Sequence, residues 1–432
     1  MAEDGADSAS LATAAPTIES LARYLDASTS PYHAAATSAA ALLASGFVER
    51  EVADAWEPTP AGFCRRGGAL VAWRFPDGFS PSDGFSIVGA HTDSPGLRVK
   101  PAPDMGLANW KQLGVEVYGG VLLNSWLDRD LGVSGRLVTI DGATHLVRVD
   151  DAIARIPQLA IHLDREISTQ GLNLDKQQHL QPVWGIGTFR PGEFREYLAE
   201  RASVRPGEIA GWELQFHDLT PARVLGHDSS LFASGRLDNL LSCWAATTAI
   251  AGSTPARHAS VIALFDHEEV GSSSSTGAAG PILEHVLDRL LLMHGSTGDD
   301  RYRCFAESSC ISADNAHAVH PNYPERHDPG HRPLVNAGPA LKVNSNQRYA
   351  TSGTTAALFQ RACATAGVPF QTFVSKNTMP CGSTIGPITA TRLGIETVDI
   401  GVPQLSMHSA RELCGTADPV FLARALAAYF SS

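Results

Sequence analysis

The stretch ASVIALFDHEE (259–269) joins seven residues typical of a buried strand to four consecutive polar residues. A short apolar run of this kind favours a strand that is covered on both faces, as in parallel sheets. Helical patterns flank it, LDNLLSCWAATTAIA (237–251) before it and PILEHVLDRLLLMH (281–294) after it. The alternation of helices with apolar strands predicts an α/β fold for this part of the chain.

The same alternation extends outward in both directions. Further strand-like segments are GALVAWRF (68–75), FSIVGAHTD (85–93) and SCISAD (309–314). Within residues 99–231, in contrast, apolar and polar residues alternate between glycine-bearing turns, as in GRLVTIDGATHLVRVD (135–150). That period is typical of antiparallel strands. We therefore expect an α/β domain made of residues 1–98 and 232–432, interrupted by a β-rich domain at 99–231.

The composition argues against two classes of partner. The 432 residues include 33 Lys and Arg against 45 Asp and Glu, a formal net charge of −12, so phosphate backbones and anionic lipid surfaces are repelled. The longest apolar runs, such as VIALF (261–265), fall far short of the roughly 18 residues that a membrane-spanning helix needs. We expect neither a nucleic acid nor a membrane as a partner.

Two further features favour the cytoplasm. The first ten residues, MAEDGADSAS, are acidic where a secretory signal needs a cationic start and an apolar run. The seven cysteines show no C-x-x-C spacing, which fits reduced thiols better than a disulfide framework. We therefore expect a cytoplasmic protein.

Residues of metal-binding type stand at the ends of the predicted strands. They are His91 and Asp93, the run Asp266 to Glu269, Asp314, His408, and Asp238 at the start of the helix at 237–251. Ligands of open α/β sheets bind outside the carboxyl ends of the strands, so we expect these side chains to converge. A set rich in carboxylates, with two histidines and no cysteine, favours zinc, manganese or cobalt over a structural thiolate site.

The residue types and spacing of two short motifs within this set suit metal chemistry. In His91-Thr92-Asp93, the carboxylate can reach the far ring nitrogen of a metal-bound histidine and orient it, although H-x-D also arises by chance in many proteins. Adjacent Glu268 and Glu269 point in different directions, so one can bind a metal while the other accepts a proton from water. Paired glutamates usually form a solvated surface, but this pair follows a buried strand and precedes a Gly/Ser turn.

Other catalytic motifs are incomplete. Residues 267–271 begin like the zinc-binding H-E-x-x-H but end in glycine, and neither G-x-S-x-G nor a phosphate-binding G-K-[ST] loop occurs. Cys381, in NTMPCGS, could be a nucleophile, but a packing or turn role is commoner for such a cysteine. A serine hydrolase therefore has little support.

Seven longer motifs, taken in order, resemble those of the aspartyl aminopeptidase family of binuclear zinc metallopeptidases. They are GAHTDSPGLRVKP (89–101), SGRLDN (234–239), FDHEEVGSSSSTGA (265–278), SADNAHAVHPNYPERHDPGHRP (312–333), GPALKVNSNQRYAT (338–351), PCGSTIGP (380–387) and PQLSMHSARE (403–412). The resemblance implies removal of an N-terminal Asp or Glu from peptides. It also implies two metal ions in an α/β catalytic domain, an inserted β domain and a tetrahedral dodecamer.

The resemblance further implies roles for single residues. Five would be metal ligands: Asp238 as the bridge between the two ions, and His91, Glu269, Asp314 and His408 as terminal ligands. Glu268 would be the general base, and Asp93 would orient His91. These assignments agree with a mechanism in which two ions share a carboxylate, polarise the scissile carbonyl and activate the attacking water.

An acidic substrate needs a local cation, because the net charge of −12 opposes long-range attraction and charges beyond about 8 Å are screened at physiological salt. The resemblance assigns this contact to Lys342, a charge between Leu341 and Val343 in a strand-like stretch. The alternative interpretation is an outward-facing strand residue. Further candidates for the substrate pocket are Tyr349, His317, His320, Arg348 and Lys376.

His162 lies in the apolar stretch IPQLAIHLDRE (156–166) of the β-rich segment. A histidine there is commonly a core or interface residue. The resemblance suggests instead that His162 reaches the active site of a neighbouring subunit and holds the carbonyl oxygen as charge develops.

Together these observations predict a three-layer α/β catalytic domain with a mixed central sheet, and an inserted β-rich domain at 99–231 that serves in dimerisation or as a lid. The predicted function is release of an N-terminal Asp or Glu by water attack at a site with two divalent metal ions, zinc first and manganese or cobalt as alternatives. The predicted partners are acidic peptides and further copies of the chain, in a dodecamer by resemblance. Two alternatives stay open: a metallo-aminopeptidase of broader or neutral specificity, and a shell-forming assembly protein with a vestigial site.

Overall fold

The structure, a computed structural model, describes residues 15–432, so MAEDGADSAS lies outside the described residues. The described helices are α1 (Ile18–Ala27), α2 (Pro31–Ala44), α3 (Ile167–Gln170), α4 (Glu193–Ala202), α5 (Leu237–Gly252), α6 (Ile282–Met293), α7 (Gly298–Glu307), α8 (Gly353–Ala366), α9 (Ile385–Leu393) and α10 (Asp418–Phe430). None of these helices combines the length and the apolar character that crossing a membrane requires.

The described strands are β1 (Val48–Glu49), β2 (Ala61–Arg66), β3 (Ala69–Arg74), β4 (Phe85–His91), β5 (Gly96–Leu107), β6 (Trp110–Tyr118), β7 (Asp130–Thr139), β8 (Thr144–Arg155), β9 (Val183–Ile186), β10 (Ile209–Asp218), β11 (Arg223–Leu225), β12 (Leu231–Ser234), β13 (Ala259–Phe265), β14 (Ser309–Ala313), β15 (Ala316–His317), β16 (Ala340–Val343), β17 (Gln371–Val374), β18 (Glu396–Gly401), β19 (Pro403–Leu405) and β20 (Glu412–Gly415). The apolar stretch 259–265, from which the α/β fold was predicted, forms β13, and its seven residues are all buried.

The chain forms two compact units. The first comprises the described residues up to Asp93, Ala222–Met407 and Glu412–Ser432, and the second comprises Ser94–Pro221 and His408–Arg411. The bounds predicted from the sequence for the β-rich domain were 99–231.

Nine strands of the first unit form one mixed sheet, in the order β1-β2-β3-β13-β4-β14-β18-β16-β17. The central strands β13, β4, β14 and β18 are parallel, whereas β3 and β16 pair with this group antiparallel. Parallel strands place their carboxyl ends at one edge of a sheet, where a ligand can bind. The predicted mixed α/β class is confirmed.

Helices cover both faces of this sheet. Ile262 and Leu264 of β13 pack into a core with α1, α2, α5, α8 and α10. Val261 and Ala263, which point to the opposite face, pack against α6 and α7. Side chains of a strand alternate between the two faces, so an all-apolar β13 requires cover on both. The result is the predicted arrangement of three layers.

The first helix follows the local signal in the sequence. Thr17 precedes α1, and its hydroxyl accepts the main-chain N–H of Ser20 at 3.2 Å. Such a cap satisfies one of the N–H groups that a helix start leaves without a helical partner. Thr17 is therefore the N-cap of α1.

A smaller sheet of the first unit has the order β11-β12-β20-β19-β15. β12 leads directly into α5, which begins at Leu237, and β20 begins at Glu412. β15 follows closely after Asp314. This sheet therefore fixes the main chain around two of the predicted metal ligands.

The second unit is a closed barrel of six strands, in the order β10-β5-β6-β9-β8-β7. β7 and β8 form a hairpin whose turn contains Gly142 at φ +88°, a conformation that glycine adopts without steric cost. Alternate side chains such as Leu131, Val133 and Val147 fill its interior. The predicted β-rich class of the insert is confirmed.

Candidate metal centre

His91 is the last residue of β4 and lies at the carboxyl edge of the large sheet. Its side chain is 1% exposed. Nε2 faces three carboxylates, at 3.5 Å from Asp238 Oδ1, 3.6 Å from Asp314 Oδ1 and 4.0 Å from Glu268 Oε2. The imidazole is therefore the centre of a buried group of metal-ligand side chains.

Three separate segments bring these carboxylates to His91. Asp238 lies in the first turn of α5, Asp314 follows β14, and Glu268 begins a 3-10 turn after β13. The ligand atoms of His91, Asp238 and Asp314 lie within 4.8 Å of one another, as do those of His91, Glu268 and Glu269. The convergence expected at the strand ends is thus present for these five residues.

Asp93 contacts both sides of this group. The His91 Nδ1 lies 3.0 Å from the main-chain oxygen of Asp93 and 3.4 Å from its carboxylate Oδ1. The same carboxylate accepts the main-chain N–H groups of Glu268, at 3.0 Å, and Glu269, at 3.1 Å. Asp93 thereby fixes the turn that carries the two glutamates, a contact that the H-x-D motif does not predict.

Asp266 and His267 support the turn from its other side. The Asp266 carboxylate accepts the main-chain N–H of His267 at 2.8 Å. His267 has φ +65°, and its Nδ1 lies 2.9 Å from the Ser274 hydroxyl. The serine-rich stretch 271–277 therefore holds His267, which is the structural role that its sequence leaves open.

Burial and the neighbouring charges shift the pKa values of His91 and Glu268. Burial lowers the pKa of His91, but hydrogen bonds to Asp238, Asp314 and Asp93 raise it, and the result lies well above 6.5. Burial raises the pKa of Glu268 to about 7, a rise that His91 opposes and Asp314 and Asp238 reinforce. A carboxyl group with a pKa near neutrality suits general acid and base catalysis.

The donor set fits zinc. Zinc takes imidazole nitrogen and carboxylate oxygen as ligands, and catalytic zinc sites combine both. Carboxylates buried this close to one another repel, and a divalent cation would offset that repulsion. His91, Asp238 and Asp314 are therefore able to hold a zinc ion.

Lys342 is buried beside this group. It lies on β16 and is 2% exposed, and its Nζ is 3.6 Å from Asp314 Oδ2. The same ammonium lies 5.2 Å from the centre of the Tyr349 ring. Lys342 therefore does not point outward from its strand, so the alternative interpretation of this residue is wrong.

A cavity of about 230 Å³ adjoins Tyr349 in the same unit. It is lined by His317, Arg326, His327, Tyr349, Phe373, Ser375, Lys376, Met379, Pro380, Cys381 and Gly382. Two cations, Arg326 and Lys376, thus belong to its wall, and the Lys376 ammonium donates to the main-chain oxygen of Glu325 at 2.8 Å. No local signal in the sequence indicates Arg326.

The other predicted pocket residues take different positions. The His317 ring meets Phe373 edge-on at 6.1 Å. The His320 ring lies 5.0 Å from that of Tyr323, and its Nδ1 accepts the main-chain N–H of Asn322. Arg348 is exposed. Of these residues, His317 lines the cavity.

Two predicted histidines belong to the second unit. His408 has φ +68°, and its Nδ1 lies 3.0 Å from the main-chain oxygen of Gly120. His162 is exposed, in a turn that also exposes Leu159, Ile161 and Leu163. The parts proposed for both histidines stay predictions.

Asp399 is a buried carboxylate near the pocket that the sequence analysis missed. It lies on β18, and it accepts the main-chain N–H of Ala350 and the Thr384 hydroxyl, each at 2.6 Å. Burial raises its pKa. Because Ala350 follows Tyr349, this carboxylate ties the Tyr349 loop to the start of α9. A charged residue within the apolar strand IETVDIGV (395–402) was the available signal.

Comparison with known proteins finds metalloproteases and aminopeptidases that are similar to this chain. A family model described as aminopeptidase I zinc metalloprotease (M18) matches residues 24–430. The chain is 55% identical over 417 residues to a protein named probable M18 family aminopeptidase 2 of Streptomyces coelicolor, covering 95% of this chain and 96% of the relative.

Solved structures resemble the whole fold. A chain in the cryo-EM structure of the Ape4 and Nbr1 complex has a TM-score of 0.92 at 33% identity, covering 98% of this chain and 86% of that one. The S. cerevisiae mApe1 dodecamer has a TM-score of 0.84 at 26% identity, covering 96% of each chain.

Proposed function

The chain belongs to the M18 family of aminopeptidases, and on that premise we propose that it releases an N-terminal aspartate or glutamate from peptides at a two-metal site. The family is one of zinc metalloproteases. The observation that carries the acidic specificity is the buried Lys342 ammonium, 3.6 Å from Asp314 and over the Tyr349 ring.

We propose five residues as metal ligands: Asp238 between the two ions, and His91, Glu269, Asp314 and His408 around them. The grouping of His91, Asp238 and Asp314, with ligand atoms within 4.8 Å, supports this assignment. Zinc bound there supplies a Lewis acid that polarises the scissile carbonyl and lowers the pKa of water at the site. Manganese and cobalt accept the same donors.

Glu268 is the proposed general base. Its carboxylate takes a proton from the water that attacks the scissile carbonyl carbon, and it returns that proton to the leaving amine as the peptide bond breaks. Burial raises the pKa of this carboxyl group, which favours its uptake of the proton. Asp93 holds Glu268 in place through the main-chain hydrogen bond at 3.0 Å.

Lys342 is the proposed contact for the substrate's acidic side chain. A buried ammonium attracts a carboxylate more strongly than an exposed one does, because water screens the charges less. Tyr349 bounds the same space and lines the adjoining cavity with His317. His320 lies further along the segment that follows His317. It is the fourth residue proposed to contact the substrate, after Lys342, Tyr349 and His317.

His162 acts, in this proposal, on the active site of a neighbouring subunit, where its ring donates a hydrogen bond to the carbonyl oxygen. Its exposure, together with exposed Leu159, Ile161 and Leu163, supports a role outside its own subunit. The dodecameric mApe1 relative supports a homo-oligomer. In such an assembly the β-rich unit serves in dimerisation or as a lid.

We place the protein in the cytoplasm on the evidence of its cysteines. All seven are free, and six of them are buried. Unpaired thiols suit a reducing compartment. Activity in the soluble fraction of gently lysed cells, without release by osmotic shock, is the expected result.

The proposed function is tested by hydrolysis of peptides with N-terminal Asp, Glu, Leu or Ala, by purified protein stripped of metal and then reloaded with zinc. Preference for the acidic pair, lost on stripping and restored by zinc, is the expected result. Metal-dependent cleavage of all four at similar rates favours the broader aminopeptidase. No cleavage with zinc, manganese or cobalt favours the vestigial assembly protein.

A further inference from the structure

A closed ring of buried polar groups lies behind Asp238. The Glu412 carboxylate accepts the main-chain N–H of Asp238 through Oε2, at 2.9 Å, and the Gln404 amide through Oε1, at 3.4 Å. The Gln404 oxygen accepts from Asn315 Nδ2 at 3.0 Å, and the same nitrogen donates to the main-chain oxygen of Leu237 at 2.7 Å. Because Leu237 precedes Asp238, the ring closes. We call these five residues the Glu412 ring.

The ring lies in the interior of the first unit. Glu412, Gln404 and Asn315 are 2%, 1% and 3% exposed. A buried carboxylate costs free energy unless hydrogen bonds offset the loss of water. The fold therefore retains a carboxyl group in its interior next to Asp238, and the hydrogen bonds of the ring offset part of the cost.

The main chain of Asp238 needs such a partner. Asp238 and Asn239 have non-helical backbone angles, with φ −83° and ψ 106° at Asp238. Their peptide groups therefore lie outside the regular helical hydrogen bonds of α5, and buried peptide groups require partners. Glu412 provides one, and Asn239 makes a second tie by donating from Nδ2 to the main-chain oxygen of Ala313 at 2.8 Å.

The ring joins two residues that face His91. One side of it holds the main chain of Asp238, whose carboxylate lies 3.5 Å from His91 Nε2. The other side holds Asn315, the neighbour of Asp314, whose carboxylate lies 3.6 Å from the same nitrogen. A shift of the ring would therefore move both carboxylates relative to the imidazole.

The donors and acceptors of the ring require a carboxylate at position 412. The Leu237 oxygen only accepts, so Asn315 presents its NH2 group there and to the oxygen of Gln404. Gln404 then has only its NH2 group to offer Glu412, and the Asp238 N–H is a donor as well. Residue 412 must accept twice, which a carboxylate does, whereas an amide has one oxygen and one NH2 group.

We propose that Glu412 is a positioning residue of the metal site, which fixes the Asp238 and Asp314 carboxylates for metal binding through the Glu412 ring. The inference rests on the proposed function, in which these two aspartates are ligands. Removing one acceptor from position 412 forces two donors together next to Asp238, and the site then holds the metal less tightly.

The test is the zinc dissociation constant of the metal-stripped full chain, measured by competition with a fluorescent chelator. Glu412→Gln is expected to weaken zinc binding about 10- to 100-fold, as is typical for partners of metal ligands.

A double variant, Glu412→Gln with Gln404→Glu, restores the pattern by exchanging the two side-chain types. The carboxylate now at position 404 accepts from Asn315 and from the amide now at position 412, and the oxygen of that amide accepts from Asp238. The affinity of the double variant for zinc is expected within about threefold of the parent.

A matched control separates this effect from general loss of a buried carboxylate. Asp418 is fully buried and accepts the main-chain N–H groups of Asn336 and Gly338. Asp418→Asn is the same change of carboxylate to amide, outside the Glu412 ring, and is expected to keep zinc affinity within about threefold of the parent. If Glu412→Gln does not fold, Glu412→Asp, which keeps both acceptors but shortens the side chain, replaces it with the same expected loss.

The outcomes distinguish this inference from the proposed function. A parent that binds none of zinc, manganese and cobalt contradicts the proposed function. A parent that binds zinc, with Glu412→Gln binding equally well, overturns only the role of Glu412. Failure of the folded double variant to regain affinity overturns the donor and acceptor argument in the same way.

Discussion

The Asp93 carboxylate accepts the main-chain N–H of Glu268 at 3.0 Å. Through its second oxygen it also accepts the N–H of Glu269, at 3.1 Å, while it lies 3.4 Å from His91 Nδ1. One carboxylate thus holds the proposed base, one proposed ligand and the imidazole in a fixed relation. The geometry of the site depends on Asp93 more widely than an H-x-D pair alone implies.

Asp93→Asn is therefore expected to lower kcat/KM about 10- to 100-fold, because the amide brings an NH2 group against one of the two N–H donors. Steady-state kinetics with an Asp-terminated peptide measure this loss of kcat/KM. The matched control is Asp104→Asn, since the Asp104 carboxylate likewise accepts two main-chain N–H groups, those of Gly192 and Phe194. Equal losses in both variants would contradict a specific role for Asp93.

Glu268→Gln is expected to lower kcat about 10²- to 10⁴-fold, because the amide cannot accept the proton of the attacking water. Zinc binding is expected to persist, since Glu269 and not Glu268 is the proposed ligand. Steady-state kinetics and equilibrium zinc titrations measure the two effects separately. Exposed Glu57 gives the control Glu57→Gln, and normal turnover by Glu268→Gln would mean that the base is assigned wrongly.

Action of His162 across subunits predicts complementation between variants. Chains with His162→Ala and chains with Glu268→Gln are each expected to be nearly inactive, but a coexpressed mixture has some sites with both intact residues. Random mixing gives about one quarter of such sites, so about a quarter of parental activity should return. The control mixture is Glu268→Gln with Asp93→Asn, whose residues share one site. If the mixture of His162→Ala and Glu268→Gln chains is no more active than the control mixture, His162 acts at the site of its own subunit, and action across subunits is contradicted.

The buried carboxyl group of Asp418, which lies outside the metal site, is expected to make the stability of the protein depend on pH. Burial raises its pKa to about 6, against the opposing effect of the Gly338 and Asn336 N–H groups. The native state therefore keeps a proton that the unfolded state, with a pKa near 3.9, releases between about pH 4 and pH 6. Stability contributed by the protonated group is full at low pH and lost as pH rises through this window, by about 3 kcal/mol.

Melting temperatures of the parent and of Asp418→Asn, measured from pH 4 to pH 7, test this sign. Relative to the variant, the parent is expected to lose stability as the pH rises to about 6 and to change little above it. A constant difference between the two proteins over this range would show that Asp418 does not keep its proton in the native state.

The sequence predicted the parts of the fold that local patterns determine. The seven apolar residues of β13 require cover on both faces, and Thr17 caps α1, so both were predictable. Helix α7 was missed, although Thr297 and Asp300 form a capping box at its start, because its sequence GDDRYRCFAE is polar overall and only Cys304 and Phe305 of it are buried. Strand β2 was missed because its AGFCRR sequence exposes its two arginines.

The candidate site was predictable only in part. Strand-end residues such as His91, Asp314 and Glu268 carry a signal, because the carboxyl ends of parallel strands meet at one edge. Glu412 and Asp399 carry little signal, since each acts through contacts with segments far away in the chain. The donor and acceptor pattern of the Glu412 ring exists only when four such segments meet.

The measurement that tests the central claim most directly is the ratio of kcat/KM for Asp- and Leu-terminated peptides, in the parent and in Lys342→Met. The control is Lys111→Met, a lysine paired with Glu193 in the other unit. The parent and the control are expected to favour Asp strongly. In Lys342→Met the ratio is expected to be about 10- to 100-fold lower, because one hydrogen bond between charged groups is lost. An unchanged ratio in Lys342→Met, or a parent without preference for Asp, would contradict the account.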